Sequence, residues 1–252
     1  MDNEMTKQNT SGQKKVIVFG SSGLIGRKIC EKVLYCNYKL IEAGRSKVVP
    51  DSLFLESDFS NLESIEKSLQ DIELENGDTI IFSHRGRHCN HKNEEESMYS
   101  NIKIEINPYL ALHNLLRSER FEGLKINVVN ITSNAYKCGA NDIPFSYHIT
   151  KAAQAAAGQM LAYTPKIRIF SNNISFGEAI NSSIKSHSDY HSMLFGKARK
   201  HLNGKDLPTT DQIGNLAIVL CNADQYSLSG QTLFIDSGLS HLSIESILRS
   251  TI

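Results

Sequence analysis

An excess of charge of either sign is missing from this chain. Lys plus Arg and Asp plus Glu each number 27 among 252 residues, so the formal net charge is zero. No global field draws the protein onto a nucleic-acid backbone or a membrane surface, and neither is expected as a partner. Long apolar runs are also missing. Nothing approaches the roughly 18 consecutive apolar residues from which a membrane-spanning helix is read. Cysteine is sparse and unpatterned: Cys30, Cys36, Cys89, Cys138 and Cys221 are odd in number and contain no C-x-x-C pair. Such spacing suits neither a disulfide framework nor a zinc site, and it fits a reducing, cytoplasmic setting. Residues 1–13 are polar, lack the apolar core of a signal peptide and read as a disordered tail.

What is present is the composition of a soluble globular protein, 40% hydrophobic and 21% charged. No repeat, linker or low-complexity segment divides residues 14–252, which read as one domain. Lys15–Phe19 is a short apolar run of the kind buried on both faces of a parallel sheet. Further strand patterns follow at 39–43, 53–55, 79–82, 125–131, 166–170 and 231–235. Helical patterns lie at 24–34, 61–69 (with Ser60 as the expected cap), 98–116, 151–162 and 211–221. Strands alternating with helices argue for βαβ units, hence a parallel sheet with right-handed crossovers. The expected fold is α/β: a single-domain, Rossmann-type, doubly wound sheet with helices on both faces. In such sheets ligands sit outside the carboxyl ends of the strands. Chemistry is therefore expected just after residues 19, 43, 82, 131 and 170.

Gly20-Ser-Ser-Gly23-Leu-Ile-Gly26 follows the first strand and opens the first helix. Glycines there allow a sharp turn, close backbone approach to a pyrophosphate, and tight packing of helix on strand. Gly20, Ser22, Gly23, Leu24, Ile25 and Gly26 are thus candidates to hold a dinucleotide. Sites for NAD usually end the second strand with a carboxylate, which would repel a 2′-phosphate. This chain has Ala43-Gly44-Arg45 instead, with a forked cationic side chain suited to phosphate. NADP(H) is the expected cofactor and NAD(H) the alternative, since Glu42 stands one residue earlier and can also face the ribose.

Tyr147 and Lys151 stand at i and i+4, on one face of a helix. A cation beside a phenol favours its ionised form and suits it to acid–base work near neutral pH. The spacing alone carries little weight, because Tyr35 and Lys39 share it at a helix end. Ser133 supplies the context. It follows the strand pattern at 125–131, where the topology places ligand-facing residues.

Together Gly20, Gly23, Gly26, Asp58, Asn107, Ser133, Tyr147, Lys151 and the terminal Gly230-Gln-Thr-Leu-Phe-Ile-Asp236-Ser-Gly238 make the chain resemble the short-chain dehydrogenase/reductases. The resemblance runs from residue 14 to about 240 and suits the short, single-domain branch, with nothing after Gly238 for the added domain of sugar-nucleotide epimerases. It implies that Tyr147 exchanges a proton with a carbonyl or alcohol and that Ser133 hydrogen-bonds the substrate oxygen. It further implies that Lys151 binds the nicotinamide ribose, and that Asn107 holds a proton-relay water. Asp58 and Phe59 would contact adenine, with Ser83, His84, Phe176 and Gly177 elsewhere along the cofactor. A homodimer or homotetramer is common in the family.

The resemblance is broken in places. The glycine spacing is G-x-x-G-x-x-G where the single-domain branch usually has G-x-x-x-G-x-G. Ser83-His84-Arg85-Gly86 replaces Asn-Asn-Ala-Gly, and Phe176-Gly177 replaces Pro-Gly. Asn181 and Ser182 are the candidates for a missing threonine near the nicotinamide. In the run 84–92 no metal site is expected; Arg85, Arg87 and Lys92 can instead attract an anionic substrate. Residues 178–207 are expected to form a loop over the substrate. The leading function is an NADP(H)-dependent carbonyl reductase or alcohol dehydrogenase acting on a small molecule. A dinucleotide-binding regulator without turnover, and a dehydratase or epimerase using transient oxidation, are the alternatives.

Overall fold

The computed structural model describes residues 12–86, 93–137, 143–177 and 206–238. Along these segments run β1 (Lys15–Phe19), α1 (Leu24–Tyr35), β2 (Lys39–Gly44), β3 (Leu53–Glu56), α2 (Leu62–Leu69), β4 (Thr79–Phe82) and α3 (Glu94–Leu116). Then come β5 (Lys125–Ser133), α4 (Phe145–Met160), β6 (Arg168–Phe176), α5 (Thr210–Leu220) and β7 (Thr232–Phe234). All strand pairs are parallel, in the order β3-β2-β1-β4-β5-β6-β7. This is the doubly wound Rossmann-type sheet, and its order reverses between β1 and β4.

Val16, Ile17, Val18 and Phe19 are all fully buried because helices cover both faces. On one face Ile29, Cys30 and Val33 of α1 and Ile213, Ala217 and Leu220 of α5 pack on Val16, Val18 and Leu40. On the other, Ile65 and Leu69 of α2 and Tyr109 and Leu112 of α3 pack on Ile17, Phe19, Ile80 and Phe82. Local signals set the helix ends. The Asn61 side chain accepts the Ser64 amide, so Asn61 rather than Ser60 caps α2. Asn93 caps α3, and Glu94, Glu95 and Glu96 in its first turn complement the helix dipole.

Two boundaries differ from expectation in ways that matter for the site. Helix α4 starts at Phe145, so Tyr147 and Lys151 both lie on it. Strand β6 does not stop at Phe170 but runs on through Ser171, Asn172 and Asn173 to Phe176. The side chains of Ser171 and Asn173 fasten α4 to the sheet, while that of Asn172 donates to the Leu228 carbonyl. Ser171 Oγ donates to the Gly158 carbonyl at 2.5 Å and Asn173 Nδ2 to the Ala155 carbonyl at 3.0 Å. Helix and sheet meet closely at Gly158, where a Cβ would lie 2.4 Å from Asn130 Nδ2.

Candidate active site

The turn after β1 closes where the sheet order reverses. Gly20 adopts a left-handed φ of 81°, and a Cβ there would lie 2.6 Å from the His84 Cα. At Gly26 a Cβ would lie 2.2 Å from the Gly20 carbonyl oxygen. Gly23 is the N-cap of α1 with no side chain capping it, and the first turn carries no acidic residue. The open backbone N–H groups there fit an anion such as a pyrophosphate. Ser22 and Leu24 are exposed beside this turn, while Ile25 turns inward onto the α1 side of the core.

Glu42 is withdrawn from the cleft. Its carboxylate is fully buried and accepts the amides of Val48 and Val49, at 3.0 and 2.8 Å, and the Ser52 hydroxyl at 2.6 Å. Burial opposes ionisation, but these hydrogen bonds outweigh it and hold the carboxyl below its ordinary 4.5. Arg45 is exposed just past Gly44. Asp58 is exposed as well; the amide and hydroxyl of Ser60, and then the Arg45 charge, hold its carboxyl below the ordinary 3.8. Phe59 packs edge-on against His84, with ring centroids 5.2 Å apart. A groove of about 790 Å³ follows β3 and α2 and includes Arg45 and Asp58. None of Gly20, Ser133, Tyr147 or Lys151 lines it, so this groove lies apart from the candidate catalytic residues.

The candidate catalytic residues gather at the ends of β4 and β5. Ser133 is the last residue of β5, buried, and its Oγ accepts the Ala135 amide at 3.2 Å. The ring of His148, next to Tyr147, donates from Nδ1 to the Ala135 carbonyl at 2.6 Å. That bond brings the first turn of α4 against the turn that follows Ser133. Tyr147 is half-buried, and the Lys151 ammonium lies 5.6 Å from the centre of its ring. Phe176 ends β6, and Gly177 backs onto the Asn134 side chain, which a Cβ would approach to 3.0 Å. Ser83 is half-buried past β4, its amide bonded to the Phe19 carbonyl at 2.9 Å.

Asn107 does not join this group. Its amide donates to the Phe59 carbonyl at 3.2 Å and so ties α3 to the segment after β3. The α3 side chain that reaches Lys151 is Glu105, two residues earlier, with Oε2 2.8 Å from Nζ. Gln154 Oε1 accepts from the same ammonium at 2.9 Å. Glu105, Gln154 and His148 are contacts that the motif did not point to. One signal for Glu105 was readable: it shares a helix stripe with Asn101, Tyr109, Leu112 and Leu116, all buried, and a charge on a buried stripe needs a partner. His84 is buried, and its Nε2 faces the Glu105 carbonyl at 3.1 Å. Burial above all lowers its pKa to about 3, so the ring is neutral.

Arg85 is exposed; residues 87–92, and with them the basic-cluster members Arg87 and Lys92, lie outside the described residues. So do residues 178–205, including Asn181, Ser182 and most of the expected loop, and the tail as far as residue 11. Among the described residues no group of His, Cys, Asp and Glu is arranged to hold a metal ion, and no helix is long and apolar enough to cross a membrane.

Comparison with known proteins agrees with this fold. Residues 42–240 match a family model described as enoyl-(acyl carrier protein) reductase. No curated protein matches the chain by sequence. Among solved structures, a short chain dehydrogenase from Bacillus anthracis is similar with a TM-score of 0.70 at 18% identity, over 92% of this chain and 98% of that one. The Bacillus cereus enoyl-acyl carrier protein reductase, solved with NADP+ and indole naphthyridinone, gives the same values. A short chain dehydrogenase from Leptospira borgpetersenii with bound NAD+ reaches 0.70 at 20% identity, over 90% and 93% of the two chains. The chain belongs to the short-chain dehydrogenase/reductase family, whose members are NAD(P)-dependent oxidoreductases.

Proposed function

We propose that this protein is an NADP(H)-dependent oxidoreductase that interconverts a carbonyl and an alcohol, with Tyr147 as the acid–base residue. The observation that carries the reading is the placement of Tyr147 and Lys151 on one face of α4, whose first turn is hydrogen-bonded through His148 to the turn after Ser133. Bound nicotinamide supplies the hydride; the protein supplies orientation and the proton. Ser133 would orient the substrate oxygen toward the Tyr147 hydroxyl. The glycine turn and the uncapped start of α1 would hold the pyrophosphate. Exposed Arg45 would meet a 2′-phosphate, and the engagement of Glu42 with the 48–52 loop removes the nearest competing carboxylate.

The reading includes a cytoplasmic setting and a homodimer or homotetramer; the assembly is supported by exposed Phe145, Ile149 and Met160 on α4 and Tyr99 and Leu110 on α3. Light scattering after gel filtration checks the state. The substrate is a small carbonyl compound or alcohol, of anionic character if Arg85 faces it. Oxidation of NADPH across a panel of neutral and acidic carbonyl compounds tests the function. Turnover of at least one compound is expected. Tight NADPH binding with no turnover of any would favour a dinucleotide-binding regulator, a reading supported by the prior engagement of Lys151 with Glu105.

A further inference from the structure

Glu105 and Lys151 are an ion pair in a place where an ion pair is expensive. Their side chains are 0% and 4% exposed. A buried pair often adds nothing to stability over apolar residues of the same volume. Its position beside Tyr147 calls for another reason.

The pair is built into its surroundings on every side. One Glu105 oxygen takes the Lys151 ammonium and the other takes the Gly86 amide at 3.0 Å. The Glu105 carbonyl faces His84 Nε2, and Gln154, which accepts from Lys151, reaches back to the His84 carbonyl at 3.4 Å. Glu105 and Gln154 therefore hold the end of β4 and the Lys151 head in one unit. An ammonium has three donors, and two are taken in this arrangement.

The titratable groups that face the pair are Tyr147 on α4, Tyr109 on α3 and His84 after β4. His84 is neutral, and burial holds the Tyr109 phenol in its protonated form, with the Glu105 charge acting in the same direction. The Glu105 carboxylate offsets the Lys151 cation within the cluster. An oxidised nicotinamide ring carries a positive charge and a reduced one does not. A bare ammonium beside the ring would favour the reduced form; a neutralised one removes that bias.

We infer that Glu105 is a positioning residue that cancels the Lys151 charge, leaves one ammonium N–H for the cofactor ribose, and thereby sets the relative affinity of the site for oxidised and reduced nicotinamide. The inference rests on the cofactor reading above. It is tested by measuring the dissociation constants of NADP+ and NADPH for the wild type, Glu105→Gln and the double variant Glu105→Gln/Lys151→Met. In Glu105→Gln the ratio of the two constants should move against NADP+ by about ten-fold or more, the effect of one unit charge within about 12 Å at an effective dielectric near 20. The double variant restores neutrality. Its ratio should return to within about two-fold of wild type, although both affinities fall with the lost ribose contact. A merely structural role would weaken both nucleotides alike.

Glutamine offers one acceptor for two donors, so the double variant guards against a single variant that does not fold. An unchanged ratio in Glu105→Gln overturns the inference. So does a double variant whose ratio moves as far as ten-fold. Failure of the wild type to bind either nucleotide removes the cofactor reading and this inference with it, whereas intact binding with an unchanged ratio removes this inference alone.

Discussion

Gly20 and His84 touch across the gap where the sheet order reverses: a Cβ on residue 20 would sit 2.6 Å from the His84 Cα and 2.7 Å from its amide nitrogen. The contact joins two parts of the site. On one side is the glycine turn that opens α1; on the other, His84 leads through its ring to Glu105 and so to Lys151. Backbone on backbone leaves no flexible side chain to give way.

The same constraint is harsher at Gly26. A Cβ there would lie 2.2 Å from the Gly20 carbonyl oxygen, so Gly26→Ala must push α1 away from the turn. Overpacking of this kind typically costs about 1–3 kcal/mol. The expected outcome is a thermal midpoint several degrees lower and loss of NADPH binding, read by melting and fluorescence titration. Binding at wild-type strength would show that the turn does not hold the pyrophosphate.

His84 makes a prediction about acid. Its pKa is about 3 in the folded chain against an ordinary 6.5, chiefly because it is buried. The unfolded state therefore binds the proton more readily. The sign follows: this contribution to stability is complete above pH 6.5 and is lost as pH falls from there toward 3. His84→Asn removes the titration. Below pH 6.5 the wild type should lose stability relative to the variant, on the order of 1 kcal/mol per pH unit, as measured by urea unfolding. Parallel stability curves for the two proteins would contradict the burial of a neutral imidazole.

In the proposed site Arg45 would separate the two cofactors. It is exposed past β2, and Glu42 is turned away into its own loop. Arg45→Ala should weaken NADPH by roughly ten- to a hundred-fold, the size of a charge-assisted hydrogen-bond loss, and leave NADH nearly unchanged. Equal loss for both nucleotides would mean that Arg45 meets a group they share.

Sheet and glycine turn were legible because their signals are local: an apolar run, a glycine spacing, an alternation of periods. The polar half of β6 was not, since Ser171, Asn172 and Asn173 are polar residues whose strand state comes from pairing with β5 and whose side chains find partners on α4 and the segment after α5. Tyr147 and Lys151 could be named from motif and context, but the partner of Lys151 could not. Asn107 had the residue type and Glu105 the position, and a two-residue offset on a helix turns a side chain about 200° around the axis. Glu42 shows the same limit: only the fold of the 48–52 loop decides that its carboxylate serves backbone amides rather than a ribose.

The most direct test compares Tyr147→Phe with wild type on a carbonyl compound that the wild type reduces, measuring kcat and the NADPH dissociation constant together. Loss of a positioned proton donor should lower kcat by about 10²–10⁴-fold. The dissociation constant should stay within about two-fold, because phenylalanine keeps the ring beside the Lys151 ammonium. Unchanged kcat in the variant would contradict Tyr147 as the acid–base residue.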